Sequence, residues 1–424
     1  MNYDVKLNTP FTAKLPANKL SGELTGSLSR SRKFLARVIN TKEGDDGLSH
    51  SRFVQAIATN LGATLPFTRS LADMSEKIFL EFFEGIIFCY MPVLMGSKLA
   101  KSKIFSKAAS TPAAKAALVL GCAAVPAAGY ALSFAKNLFT LKVFKKCDFS
   151  NVVNLDKNKK ETPELQKKVE KSAKSHIRNS AIAAAAGLAA SLALAGRSGK
   201  TVQKASEVFL NPGRKLYEHL EKRGTKVSNG LKSFLDSYGS LDFARKSDGT
   251  PGLGKGQLGL TVTAAVCGYF GAAKDRGRLD VMEVATRLPV IALYTIFGSE
   301  LLDSGFKKYL FKNKKYTEIL TKDEKGALKT ASLNDIPEIA KKSGKSINEL
   351  FKGKAVIAMV PFLFSLLAVG AFISGMSRVW TQYRYKRGVG NDNFTKAQVQ
   401  PQARNPLQSR VPTPVKTLYE FIQE

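Results

Sequence analysis

The chain has 424 residues, of which 44% are apolar, so wholesale disorder is excluded and the length suffices for two or three domains. It carries 65 Lys and Arg against 34 Asp and Glu, a formal net charge of +31. A balance this basic favours partners with a negative surface, either anionic lipid or nucleic acid. The four cysteines form no CxxC pair and the three histidines lie far from them in the sequence, which argues against a disulfide framework and a zinc site.

The N-terminal segment is polar and basic and contains no apolar core stretch. It therefore predicts no cleaved signal peptide. We expect residues 1–52 to be flexible.

Four apolar runs are strong enough to predict membrane spans. The strongest, Ala355–Met376, has 22 residues without a charge, and about 20 suffice to cross the hydrocarbon layer. The others are Ala116–Ala135, Ile78–Gly96 and Val284–Gly298. Each of the four contains a proline, which costs about 3 kcal/mol in the interior of a soluble helix. Membrane helices tolerate proline better because neighbouring groups satisfy the freed carbonyls, so the prolines favour lipid as the surroundings.

Weaker runs leave the number of spans open. Ala181–Gly196 and Leu258–Ala273 have 16 residues each and fit short spans, re-entrant segments or soluble core helices, and Phe53–Phe67 is weaker still. The charges of the loops do not indicate which side of the membrane each loop lies on, because all the long loops are similarly basic. Residues 136–179 and 197–257 each contain 12 Lys and Arg, and 303–354 contains 13. The prediction is an all-α, multi-pass membrane protein with about four to six spans.

An internal repeat is a further prediction. Glu81–Leu99 aligns without gaps on Glu283–Leu301, and both end in Gly-Ser-x-Leu. Gly129–Lys146 aligns on Gly370–Arg387, with matched Ser, Thr and aromatic positions and a terminal basic pair. Apolar runs also align by chance, so duplication and coincidence both remain open. Internal repeats are common in membrane transporters and occur elsewhere too.

The runs and the loops between them divide the chain into five parts. These are a flexible basic segment over 1–52, a first membrane half over 53–148, a basic helical linker with an Ala-rich apolar helix over 149–257, a second membrane half over 258–388 with a helical hairpin at 316–353, and a disordered Pro- and Gln-rich tail over 389–424.

Charges near the apolar runs form the candidate functional site. Glu81 and Glu84 lie three residues apart on one helix face, and Glu283 and Arg287 lie four apart, where they could pair. Ionisable groups inside a membrane are expensive and often functional. The simpler interpretation is that these side chains lie at the ends of spans and reach the interface.

The basic and aromatic residues at the ends of two runs predict contacts with lipid headgroups. These residues are Lys145, Lys146, Trp380, Tyr385, Lys386 and Arg387. The same pattern is explained by basic residues that flank a span and stop its translocation without binding a specific lipid. This second interpretation is favoured.

Two stretches match nucleotide-binding patterns incompletely. In LAGRSGKT, Leu194 occupies the first glycine position of a P-loop, and in GTPGLGKG, Gly256 stands where the magnesium-binding hydroxyl belongs. Neither follows a predicted strand. Gly196 and Gly199 are better explained as a helix end.

The stretch Asp335–Lys354 resembles a helix-turn-helix, but Ser343 and Lys345 stand where that motif is usually apolar. A small helical hairpin packed on the membrane domain is favoured over a DNA-binding unit. The stretch from Val227 to Tyr238 predicts an amphipathic helix that either lies on an acidic membrane or packs on a partner helix.

The sequence predicts no catalytic, cofactor-binding or metal-binding residues and no cofactor. His50, His176 and His219 lie in polar segments, where we expect them to face solvent. Three functions stay open: a non-enzymatic scaffold that organises acidic lipid through its basic loops, a transporter or channel built from two repeats, and a membrane-tethered nucleic-acid-binding protein. Anionic membrane lipid is the expected partner, a homo-oligomer is compatible with the pattern, and nucleic acid is the disfavoured alternative.

Overall fold

Helices make up almost all of the regular structure. The computed structural model describes residues 20–43, 61–91, 95, 111–156, 161–245, 251–252, 254–322 and 326–388. The principal helices are α1 (Gly22–Ser27), α2 (Arg30–Glu43), α3 (Leu71–Gly85), α4 (Pro112–Gly121), α5 (Ala124–Phe144), α6 (Phe149–Val152), α7 (Pro163–Leu194), α8 (Lys200–Leu210), α9 (Pro212–Lys222), α10 (Asn229–Tyr238), α11 (Lys255–Arg276), α12 (Arg278–Leu293), α13 (Ser299–Lys312), α14 (Ile336–Ser343), α15 (Ile347–Phe364) and α16 (Ile373–Lys386).

Three short π-helical segments and two 3₁₀ turns join these helices. The π-helical segments are Ile86–Tyr90 after α3, Tyr294–Gly298 between α12 and α13, and Ser365–Phe372 between α15 and α16. The 3₁₀ turns are Leu65–Phe67 and Leu333–Asp335.

Within the described residues, four helical segments are long and apolar enough to cross a membrane: Pro112–Phe144, Pro163–Leu194, Arg278–Lys312 and Ile347–Lys386. The prediction of an all-α chain with about four to six such segments is confirmed. The second of the four contains the weaker run at 181–196. The run predicted at 78–96 falls partly outside the described residues, and the run at 258–273 lies in α11, which is not one of the four.

Local sequence explains where two of these segments begin. Thr111 and Thr162 each precede a proline, and each hydroxyl oxygen accepts a hydrogen bond from a backbone N–H in the first turn, at 3.3 Å. Proline suits the first helical position because its missing N–H would have no partner there. The Gly-Lys-Thr stretch separates two helices: Gly196 takes φ of +83° after α7, and Gly199 is the residue before α8.

The centre of the bundle is a close crossing of α5 with α11, and α7 covers α5 from another side. Gly268 of α11 lies so close to the backbone of Tyr130 that a Cβ would overlap the Tyr130 carbonyl oxygen. A Cβ on Gly271 would lie 2.8 Å from the ring of Phe134, which is fully buried. Small residues therefore set the distance between these helices.

Shared clusters show which helix ends lie together. Phe144, Tyr385 and Leu279 all pack in the cluster around Val152, so α5 and α16 end where α12 begins. At the opposite end of the bundle, the start of α4 contacts α8, which follows the end of α7. The segments 112–144 and 347–386 thus run in the same direction, and 163–194 and 278–312 run antiparallel to them.

A separate cluster joins the N-terminal helices to residues 306–359. Leu24 and Ile39 are fully buried against Ile336 and Phe351. The expectation that residues 1–52 are flexible is therefore wrong for 22–40, because their apolar residues bury a face against this cluster. Residues 1–19 and 44–52 lie outside the described residues.

Two short hairpins interrupt the helices, although the sequence predicts no strands. Ala244–Arg245 pairs with Pro251–Gly252, and Leu320–Lys322 pairs with Leu328–Thr330, both antiparallel. The interval 316–353 thus holds a strand hairpin followed by α14 and the start of α15. The tail predicted to be disordered at 389–424 lies outside the described residues.

The crossing of α5 and α11 generates a stability prediction. Gly268→Ala forces the two backbones apart and should lower the free energy of unfolding by about 1–3 kcal/mol, as overpacking usually does. Thermal unfolding of the purified protein in detergent measures the effect. Gly259→Ala is the matched control, because nothing lies within 4 Å of a Cβ there. Equal unfolding temperatures for the two variants would contradict the close crossing.

Candidate functional site

A cavity of about 300 Å³ lies between α3, α11, α12 and the π-helical segment 365–372. Its polar wall is formed by Lys77, Glu81, Glu84, Tyr269 and Arg287. The rest of the wall is mainly apolar and includes Ile291, Phe362, Leu366 and Val369. The cavity therefore offers charges of both signs on one side and an apolar surface on the other.

Hydrogen bonds fix two parts of this wall. The Tyr269 hydroxyl donates to Glu84 Oε1 at 2.6 Å, which joins α11 to α3. The hydroxyls of Tyr294 and Ser365 are hydrogen-bonded to each other, and Ser365 Oγ also donates to the Pro361 carbonyl at 2.8 Å. Tyr294 and Ser365 are the first residues of two π-helical segments, so this bond ties the two irregular parts of the backbone together.

All three π-helical segments lie on or next to the helices that form the cavity. Ser365, Leu366, Val369 and Gly370 line it directly from one segment, and Tyr294 and Thr295 from another. The third, Ile86–Tyr90, begins two residues after Glu84. Single π-helical turns are rare and occur often at functional sites.

A second, smaller cavity of about 30 Å³ adjoins the first and shares Lys77, Leu80, Tyr269 and Arg287 with it. This volume is large enough for one water molecule. Glu76, Lys136, Arg276 and Asp280 line its other side. The polar wall of the main cavity is thus continuous with a charged layer inside the bundle.

Arg276 is the centre of that charged layer. Its Nη1 lies 3.1 Å from the Glu76 carboxylate and 3.2 Å from Asn137 Oδ1, and its Nε lies 3.5 Å from Asp280 Oδ2. Glu76 also accepts a hydrogen bond of 2.5 Å from Thr140 and lies 3.8 Å from Lys136 Nζ. These contacts connect α3, α5, α11 and α12 through a single guanidinium group.

The charges around Glu76 decide its protonation. Burial raises the pKa of the Glu76 carboxyl, but the opposite charges of Arg276 and Lys136 and the hydrogen bond from Thr140 outweigh burial, so the pKa is below its ordinary value. The pKa of Asp73 is lowered in the same way: burial raises it, and Lys77 and Arg69 outweigh burial. Both groups are therefore carboxylates at neutral pH.

Lys77 is the cation of the main cavity wall whose pKa lies close to neutral pH. Burial, and then the like charge of Arg287, lower the pKa of its ammonium group to about 7, although Asp73 acts in the opposite direction. A lysine with this pKa exchanges a proton near neutral pH. The cavity thus contains a group that can change its charge in the physiological range.

The four residues predicted as an intramembrane charge site fall in two places. Glu81, Glu84 and Arg287 line the main cavity. Glu283 lies deeper, 3.0 Å from Nη2 of Arg69, and lines only the smaller cavity. The ion pairs of the described residues do not include the pairing of Glu283 with Arg287 that the sequence allows. The Glu283 carboxylate pairs with Arg69 instead.

The residues predicted to contact lipid headgroups lie at the ends of α5 and α16. Some are exposed, and others make contacts within the protein. Lys145, Lys386 and Arg387 are exposed, as is Trp380. Lys146 Nζ donates to the Asn151 carbonyl at 3.2 Å, and Tyr385 packs on the cluster around Val152. These last two therefore make internal contacts as well.

Sequence reasoning missed much of the site. Tyr269, Tyr294 and Ser365 give no sequence signal, because a hydroxyl in an apolar helix is unremarkable. Glu76 and Lys136 lie immediately beside apolar runs, which is the only clue that they are buried. The expectation that His176 faces solvent is wrong: its ring bonds to the Tyr130 hydroxyl at 2.8 Å and stacks on Phe134.

The described residues contain no group of three or more His, Cys, Asp or Glu that could hold a metal ion. No family model, no curated protein and no solved structure matches this chain.

The central ion pair generates a second stability prediction. Arg276→Gln leaves Glu76 and Asp280 buried without their cation and should lower the free energy of unfolding by about 3–5 kcal/mol. Thermal unfolding in detergent measures this. Arg278→Gln removes an exposed arginine two residues away and serves as the control. An equal effect of the two substitutions would rule out Arg276 as the central contact.

Proposed function

We propose that this protein is a multi-pass membrane carrier that binds a small charged or zwitterionic solute in the cavity between α3, α11, α12 and residues 365–372. The observation that carries the proposal is the polar wall of that cavity, in which Glu81 and Glu84 face the same space as Lys77 and Arg287. The proposal includes no enzymatic activity and needs no cofactor.

The energetic cost of the charges supports a functional role. Segments 278–312 and 347–386 are long and apolar enough to cross a membrane, and both contribute to the wall. A charged group at this depth is expensive, and such groups usually mark ion or substrate pathways. The charges around Arg276 are enclosed in the bundle interior, whereas those of Lys77, Glu81, Glu84 and Arg287 line a cavity large enough for a small solute.

The size and polarity of the cavity limit the solute. Ligand pockets commonly occupy about 300–1,000 Å³, so a cavity of this size suits a small molecule. Carboxylates and cations together suit a solute that carries both signs, and the apolar side suits a short aliphatic or aromatic group.

The predicted repeat also favours a carrier. Ser133 and Ser374, which align in the repeat, are both buried, and Thr140 and Thr381 each donate to the carbonyl four residues earlier. In the first half α3 packs on α5, and in the second half α12 packs on α16. The cavity lies where α3 meets helices of the second half, and transporters built from repeats bind substrate at such a boundary.

Transport by reconstituted protein tests the carrier proposal. Sealed liposomes with the protein should take up labelled glycine, alanine, glutamate or lysine, or dissipate a proton gradient, faster than protein-free liposomes. Glu84→Gln should lower the rate about tenfold, which corresponds to about 1.4 kcal/mol. Glu164→Gln, at an exposed position at the start of α7, is the control and should keep the full rate. Equal rates with and without protein for every probe would overturn the proposal.

Insertion and sidedness form a separate prediction. The protein should remain in membranes washed with alkaline carbonate. In sealed vesicles of one orientation, protease should cut 197–254 and 313–345 from one face and 145–162 from the other, because the packed helix ends place the first two intervals together. Release by salt alone would contradict membrane insertion.

A further inference from the structure

The amphipathic helices α8, α9 and α10 take no part in the cavity, and they are fixed to one end of the bundle. Gln203 of α8 accepts a hydrogen bond from the Ala113 backbone N–H at 3.1 Å, at the start of α4. Lys115 pairs with Asp242 at 2.6 Å, just after α10. These contacts tie the three helices to the beginning of the segment 112–144.

A second set of contacts ties α10 to the segment 278–312. The rings of Phe234 and Tyr238 pack on Phe297, with centroids 5.8 and 4.8 Å away. Beside them, Lys255 at the start of α11 pairs with Glu300 at 2.7 Å. The apolar runs at 116–135, 181–196, 258–273 and 284–298 all have one end at this level. The three helices therefore lie where apolar sequence gives way to polar sequence, which is the level of a membrane interface.

Large apolar side chains on these helices are partly exposed. Between 37% and 51% of their surface is exposed, and they are Val208, Phe209, Leu216, Leu231 and Phe234. Short amphipathic helices with such residues lie in the interface with the apolar face between headgroups and acyl chains.

The same surface carries excess positive charge. Residues 197–242 contain nine Lys and Arg against five Asp and Glu. A groove of about 390 Å³ between α8 and α9 is lined by Lys204, Lys215, His219 and Lys222, with Glu207, Glu218 and Val208. Lys215 pairs with Glu218 at 2.9 Å, and the groove still presents more basic than acidic side chains.

We propose that the surface formed by α8, α9 and α10 binds anionic phospholipid headgroups of the bilayer that the chain crosses, with a headgroup phosphate in the groove between Lys204 and Lys222. The position at the ends of four apolar runs brings this surface to the headgroup layer, and the basic groove selects acidic lipids over neutral ones. This inference rests on membrane insertion and is independent of solute transport.

Hydrogen–deuterium exchange of the full chain in nanodiscs tests the proposal. Discs of neutral phosphatidylcholine are compared with discs that contain phosphatidylglycerol, with one chain per disc. Exchange of the amides in 200–238 should be at least about fivefold slower in the anionic discs, the effect expected of one or more Lys near an acidic surface. The variant Lys204→Gln/Lys215→Gln/Lys222→Gln should lose this difference.

The control removes the same charge elsewhere. Lys171→Gln/Lys274→Gln/Lys352→Gln changes three exposed lysines on other helices and should keep the lipid-dependent slowing. The proposal would be overturned by equal exchange in the two lipids or by an equal loss of the lipid-dependent slowing in the two triple variants. Slowing that occurs only with several chains per disc would also overturn it and would assign the surface to a second copy. Failure of the chain to enter discs would overturn it as well.

Discussion

The buried guanidinium of Arg276 is the contact on which the rest of the bundle depends. It touches carboxylates of α3 and α12 and an amide of α5 from its own position at the end of α11. Removing a charge of this kind from water costs several kcal/mol, so the arrangement is stable only when the opposite charges and hydrogen bonds are in place. Four helices must therefore meet in one register, and that register determines where the cavity walls stand.

Among the described residues, the region around the two cavities holds six cations and six carboxylates. The cations are Arg69, Lys77, Lys136, Arg276, Arg287 and Arg378, and the carboxylates are Asp73, Glu76, Glu81, Glu84, Asp280 and Glu283. The pairs around Arg276 and Arg69 stabilise the fold, and Lys77, Glu81, Glu84 and Arg287 face the main cavity. A strongly basic chain thus keeps the charges around its cavities balanced and carries most of its excess positive charge elsewhere.

Irregular backbone and small residues shape the cavity within this frame. The close crossing at Gly268 fixes α11 against α5, which holds Tyr269 toward Glu84. The π-helical turns beginning at Tyr294 and Ser365 shift the side chains of two apolar helices relative to regular α-helices. Neither the crossing distance nor the turns can be derived from apolar periodicity, since both result from contacts between distant parts of the chain.

The sequence by itself determined the helical class, the apolar segments and three cavity residues, Glu81, Glu84 and Arg287, because long uncharged runs and charges near them are local properties. Only the tertiary structure decided that Glu283 forms an ion pair with Arg69 and that Lys77 and Tyr269 line the same cavity as Glu84. It also decided that residues 22–40 pack against the cluster that contains Ile336 and Phe351. The physical reason is that a charge is stabilised by whichever opposite charge or donor the fold brings close, and Arg69, the partner of Glu283, lies 214 residues away from it in the sequence.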